Sequence, residues 1–152
     1  METIHHYEVN VKWDAERRGT LTSPVLHESI QVATPPEFPQ GIPDIWSPEH
    51  LFTAAVNSCL MTTFLAIAEN SKLEFLDFHS KATGKLEMMD GKLTMSEIIL
   101  EPNVVISHER DKERTLRILA KSEAACLISN SIKSIIVFKP VVEAAPETKL
   151  AS

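Results

Sequence analysis

One segment constrains the fold more than any other: residues 46–68, which read WSPEHLFTAAVNSCLMTTFLAIA. Its opening is a helix start. Ser47 is suited to cap the helix, Pro48 fits the first helical position, where no N–H is needed, and Glu49 complements the positive end of the dipole. Beyond Glu49 the apolar residues Leu51, Phe52, Val56, Leu60, Met61, Phe64 and Leu65 occupy almost the whole circumference. A helix apolar on all sides is a buried one, so the segment predicts the central helix of the structure. A cysteine, Cys59, stands in the middle of it, ten residues after Glu49.

The rest of the chain predicts strands around this helix. Tyr7, Val9, Val11 and Trp13 alternate with polar residues, the period of a half-buried strand. The segments TLTS and HESIQVAT read as two further strands joined around Ser23 and Pro24, completing an antiparallel meander. Residues 35–45, PPEFPQGIPDI, contain four prolines and a glycine and form a loop leading into the helix. Alternation on both sides of Asp90-Gly91 predicts a tight hairpin. Residues 109–131 predict a second long helix, charged at its start and buried at its end, where the second cysteine, Cys126, lies. SIKSIIVFKPVVE reads as a strand. The expected fold class is α+β: antiparallel sheets with two long helices, in one domain over residues 1–143. A disordered tail over 144–152 follows, because AAPETKLAS has nothing to pack.

A chain of 152 residues, 43% of them hydrophobic, buries enough apolar surface to fold without disulfide or metal staples. Its net charge of −6 works against nucleic acid as a partner. No apolar run approaches the roughly 18–20 residues of a membrane span, and METIHHYEVNVKW lacks a basic region followed by an apolar block. The expectation is a cytoplasmic protein with no membrane association. The six histidines show no His-Glu-x-x-His or paired Cys/His spacing, and the four glycines form no phosphate loop or dinucleotide fingerprint. Neither a metal nor an organic cofactor is expected.

Two cysteines are too few for a secreted disulfide framework, so each is either core filler or chemistry. Taken together, Trp13, Arg18-Gly19, SPEHLFTAAVNSC from Ser47 to Cys59, and AKSEAACLISNSI from Ala120 to Ile132 resemble the osmotically inducible protein C and organic hydroperoxide resistance family. The likeness covers roughly residues 4–142. It implies an intertwined homodimer of α+β subunits that reduces organic hydroperoxides, alkyl or lipid, with a reactive cysteine in oxidative-stress defence. By position, Cys59 corresponds to the peroxidatic cysteine, Cys126 to the resolving cysteine, Glu49 to the helix-start glutamate, and Arg18 to the arginine at the thiolate. Arg17 is the alternative for that last role. In the family the resolving cysteine is commonly followed by proline, and here Leu127 stands there. A ligand-binding or redox-sensing relative with little turnover is the alternative reading.

Chemistry connects these implied roles. Attack on an O–O bond needs thiolate, and a free thiol with a pKa of about 8.5 is only a few per cent ionised at neutral pH. An arginine supplies a permanent cation, and a carboxylate holds and neutralises it. Ten residues of helix span about 15 Å, so Glu49 does not reach Cys59 of its own helix. Two central helices crossing antiparallel at a two-fold axis would place Glu49 from the partner there, and sites at the subunit interface are expected. An external dithiol reductant closes the cycle, and Phe38, Ile42, Ile45 and Trp46 are candidates for an apolar pocket.

Overall fold

The computed structural model describes residues 3–146. The chain divides into two compact units, one ending at Leu51 and the other beginning at Phe52.

The first unit is a three-stranded antiparallel meander of β1 (Asn10–Ala15), β2 (Arg18–Thr22) and β3 (Ile30–Ala33), in that spatial order. The ladder of β1 begins at Asn10, three residues after the alternation does, and ends at Ala15. Alternation marks side-chain polarity rather than hydrogen bonding, so the apolar period at Tyr7 and Val9 runs on beyond the ladder. Nor is this strand half-buried: Tyr7 is 87% exposed and Trp13 73%. Glu16 and Arg17 form the turn into β2, with Glu16 at φ 52° and the Trp13 Nε1–H donating to the Glu16 carbonyl at 2.9 Å. The proline-rich segment is an ordered loop, held by Phe38 N–H to Pro35 O at 3.1 Å and Ile42 N–H to Thr34 O at 2.9 Å. A parallel bridge between Val32 and Trp46, with Ala33 N–H donating to Trp46 O at 2.8 Å, sets the chain at the start of the first helix.

That helix, α1 (Pro48–Asn70), starts as its sequence predicts. Ser47 is fully buried and its Oγ accepts from the His50 N–H at 3.2 Å, one of the donors that a helix start leaves open. The unit beginning at Phe52 continues with β4 (Asp77–Met89) and β5 (Lys92–Ile106), a long antiparallel hairpin. Its turn has Asp90 at φ 50° and Gly91 at φ 78°, the positive angles that the Asp-Gly pair predicts. A second helix, α2 (Lys112–Ala125), follows, and then two short strands, β6 (Ile135–Phe138) and β7 (Val141–Ala144). Both pair in parallel with β5, so this sheet is mixed. The single strand expected over SIKSIIVFKPVVE is thus split at Lys139-Pro140. Pro140 and the buried Pro102 of β5 both lack an N–H, and the ladder lapses between Leu100 and Asn103 before resuming. Ala144 belongs to β7 and Ala145 N–H donates to Ile106 O at 2.7 Å, so the expected tail does not begin at 144. Residues 147–152 lie outside the described residues.

Within one chain α1 is buried along a stripe rather than all round. Val56, Leu60, Phe64 and Ala68, four residues apart, are buried, while Met61 and Leu65 are substantially exposed. The stripe packs on Ile98, Leu100, Val104 and Ile106 of β5, with Ile118 and Leu119 of α2 and Val142 of β7 closing the core. Each large side chain so buried stabilises the fold by about 1.5–3 kcal/mol relative to exposure. Phe64 also stacks on Phe78 and meets Phe75 edge-on, at centroid distances of 5.1 and 5.2 Å. The helix comes close to the sheet at Gly84, where a Cβ would lie 2.4 Å from Thr53 Oγ1 and 2.6 Å from Met95 Cε. At 23 residues, α1 is by length and composition apolar enough to cross a membrane, contrary to the sequence expectation. Thr, Ser and Asn interrupt its apolar letters but scarcely lower its hydropathy, and its buried stripe marks it as a core helix.

The second helix is shorter than predicted. It ends at Ala125, and Cys126 adopts φ −64°, ψ 111° just outside it. The Leu-Ile-Ser-Asn-Ser sequence that follows favours local side-chain bonding over helix, and it forms a separate single turn closed by Asn130 N–H to Cys126 O at 3.0 Å. Burial on α2 follows a stripe from its first turn, Thr115, Ile118, Leu119 and Ser122, not a gradient from start to end.

Candidate functional site

The two cysteines meet. Cys59 lies midway along α1 and is half-buried, Cys126 is fully buried at the end of α2, and both are free thiols. The Cys126 thiol lies close enough to Cys59 to favour its thiolate. Thr63, one helical turn after Cys59, brings its Oγ1 to 3.8 Å from the Cys59 sulfur. The turn after Cys126 adds two further groups that favour the Cys59 thiolate, the backbone N–H groups of Ile128 and Leu127.

These neighbours make the two thiols unequal. Desolvation pushes the Cys59 pKa up. The Ile128 N–H, the Cys126 thiol, the Thr63 hydroxyl and the Leu127 N–H together outweigh it, and the thiol sits below its ordinary value. Cys126 is held above its ordinary value, first by burial and then by the adjacent Cys59, offset in part by Ser129. The first proton of the pair therefore leaves Cys59. A thiolate there faces a second thiol close enough to attack any sulfur species formed on it, which is the arrangement that disulfide chemistry requires.

The other candidate residues fall in the unit ending at Leu51. Arg17 is exposed at the β1–β2 turn, its Nε donating to Gln40 Oε1 at 3.1 Å. Arg18 is half-buried at the start of β2, opposite Ala15 on one side and Ala33 on the other. Glu49 is half-buried in the first turn of α1. Because α1 is unbroken from Pro48 to Asn70, Glu49 is separated from Cys59 by about 15 Å along the helix axis. His50 serves the helix start, its Nδ1 2.6 Å from Ser47 Oγ and its ring edge-on to Trp46. Among the described residues no group of three or more His, Cys, Asp or Glu side chains is placed to hold a metal.

Sequence reasoning missed the neutral donors. Thr63 was open to detection, since a threonine four residues after a helical cysteine shares its face. The Leu127 and Ile128 contributions come from backbone atoms, which leave no trace in residue types. One signal existed: a proline after Cys126 has no N–H to give, so Leu127 at that position keeps a donor.

Together these features mark a class of α+β protein, with a mixed four-stranded sheet, a long apolar helix carrying one thiol at its middle, and an unequal second thiol at the end of its second helix. The OsmC-like protein family profile matches residues 41–140, and the chain belongs to this family. It is 28% identical over 134 residues to the uncharacterized protein YmaD of Bacillus subtilis, covering 85% of this chain and 87% of that one. The fold superposes on an OsmC-like protein of unknown function from Vibrio cholerae with a TM-score of 0.82 at 22% identity, covering 91% of this chain and 100% of that one. It also matches an organic hydroperoxide resistance protein OsmC from Legionella pneumophila, with a TM-score of 0.73 at 19% identity over 93% and 99% of the two chains.

Proposed function

We propose that this protein reduces organic hydroperoxides to alcohols with a thiol cycle run by Cys59 and Cys126. The observation that carries the reading is the thiol pair itself: a cysteine below its ordinary pKa, touching a second, buried cysteine above it. Cys59 thiolate attacks the distal oxygen of ROOH. The S–O bond forms as the O–O bond breaks, and the alkoxide leaves as ROH after taking a proton. The Cys59 sulfenic acid then condenses with the Cys126 thiol, forming the S–S bond and releasing water. An external dithiol returns both thiols by exchange and leaves as its own disulfide.

The reading extends to a homodimer, a single functional domain that includes β7, and a cytoplasmic setting. For the homodimer the support is the apolar surface one chain leaves uncovered: Tyr7 and Val9 ahead of β1, Val11 and Trp13 within it, and Met61 and Leu65 on α1. In the assembled site Arg18, or Arg17 in its place, supplies the cation for the thiolate, and Glu49 of the partner subunit holds that arginine. The apolar residues Phe38, Ile42, Ile45 and Trp46 favour alkyl and lipid hydroperoxides over hydrogen peroxide.

The test is consumption of cumene hydroperoxide by the dithiol-reduced protein beside Cys59→Ser and Cys126→Ser. Turnover by the wild type, none by Cys59→Ser, and a single turnover ending at sulfenic acid in Cys126→Ser is the expected pattern. Equal inertness of all three with several dithiols would refute it.

A further inference from the structure

A cleft of about 460 Å³ opens between the end of α1 and the outer side of α2, lined by Ser71, Arg114, Arg117, Ile118, Ala120 and Lys121. Its volume is in the range of small-molecule sites, roughly 300–1,000 Å³. Three of its six lining residues are cations, in a protein whose net charge is −6. Their spacing places them together, since positions 114, 117 and 121 fall on one face of a helix.

Among the described residues the three cations are not spent on carboxylates. The ion pairs among the described residues involve His79, Lys85 and Lys112, and none includes Arg114, Arg117 or Lys121. Arg114 is half-buried and donates through Nη2 to the Ser71 carbonyl, which fixes its guanidinium at the rim with further N–H groups unused. Arg117 and Lys121 are exposed beside it. Ile118 and Ala120 add apolar surface to the same lining.

From this combination we infer that the cleft is a binding site for an amphipathic organic anion, a carboxylate or phosphate carried on a short apolar chain. The anionic group pairs with Arg117 and Lys121 and takes an N–H of the fixed Arg114, and the chain lies on Ile118 and Ala120. A guanidinium held in position suits such a head group because less of its freedom is lost on binding. The site is separate from the thiol pair and does not depend on peroxidase activity.

Titrating the reduced full-length protein with octanoate, followed by backbone amide NMR, tests this directly. Saturable shifts are expected at Ser71 and along 114–121, absent with octanol and far weaker with acetate or inorganic phosphate. Arg117→Glu with Lys121→Glu should weaken octanoate binding about tenfold or more. The milder pair Arg117→Gln and Lys121→Gln should weaken it less, at unchanged thermal stability. Octanol binding as well as octanoate, or acetate and phosphate binding as well as octanoate, overturns the proposal, as does unchanged affinity in both charge variants. Because the readout is binding, its failure would leave the thiol cycle intact, and a failed peroxidase assay would leave this site intact.

Discussion

Replacing Leu127 by proline would remove one N–H from the shell around Cys59 and disturb little else. The residue before a proline has to be extended, and Cys126 already is, at φ −64° and ψ 111°. The ladder of α2 closes one residue earlier, with the Cys126 N–H on Glu123 O at 3.2 Å, so Leu127 is not needed to finish the helix. Its side chain is 66% exposed, so losing it costs little packing. A hydrogen bond to a charged acceptor contributes about 1.5–3 kcal/mol. Cys59 is only half-buried, and water replaces part of the lost bond, which places the loss near the lower end of that range. The Leu127 N–H is the weakest of the four contacts that lower Cys59, so its loss raises the Cys59 pKa and cuts the thiolate present near neutrality by about twofold to tenfold. The assay is the pH dependence of iodoacetamide alkylation at Cys59, followed by peptide mass spectrometry so that Cys126 is counted separately. Leu127→Ala, which keeps the N–H, is the control and should retain the wild-type midpoint. Equal midpoints for the proline and alanine variants, or equal shifts in both, would show that the Leu127 N–H does not tune the thiol.

Two further outcomes follow from the packing. Gly84→Val places a branched side chain where even a Cβ would collide with Thr53 Oγ1 and Met95 Cε, and it should destabilise the protein by about 1–3 kcal/mol or more in urea denaturation. Trp13→Glu puts a charge on the uncovered face of β1, and it should shift the sedimentation of the proposed dimer to that of a monomer without unfolding the meander.

Much of the architecture is legible where a residue type has one conformational use. Ser47-Pro48-Glu49 marks the start of α1, Asp90-Gly91 marks the hairpin, and alternation identifies β1, because capping, positive φ and period-two polarity each select particular side chains, even though β1 is exposed within one chain. The misreadings occur where backbone alone decides. Cys126 reads as helical because Ala124 and Ala125 favour helix, yet the helix stops there and the next turn starts afresh. The parallel pairing of β6 and β7 rests on long-range contacts that no local period encodes. At the candidate site, the resemblance implies that Cys59 and Cys126 lie together, as they do, but their local electrostatics is not legible in the residue types. Reasoning from side chains asks for a guanidinium, while the groups that lower Cys59 within its own unit are a hydroxyl, a thiol and two amides.

Those two amides also bear on how the cycle ends. A donor that favours thiolate has nothing to favour once the sulfur is tied up in a disulfide, so Leu127 and Ile128 stabilise the reduced pair relative to the oxidised one. In the proposed cycle, the groups that ready Cys59 for a peroxide therefore also shift the redox poise of the Cys59–Cys126 couple toward easy reduction, and an ordinary dithiol suffices to reset it.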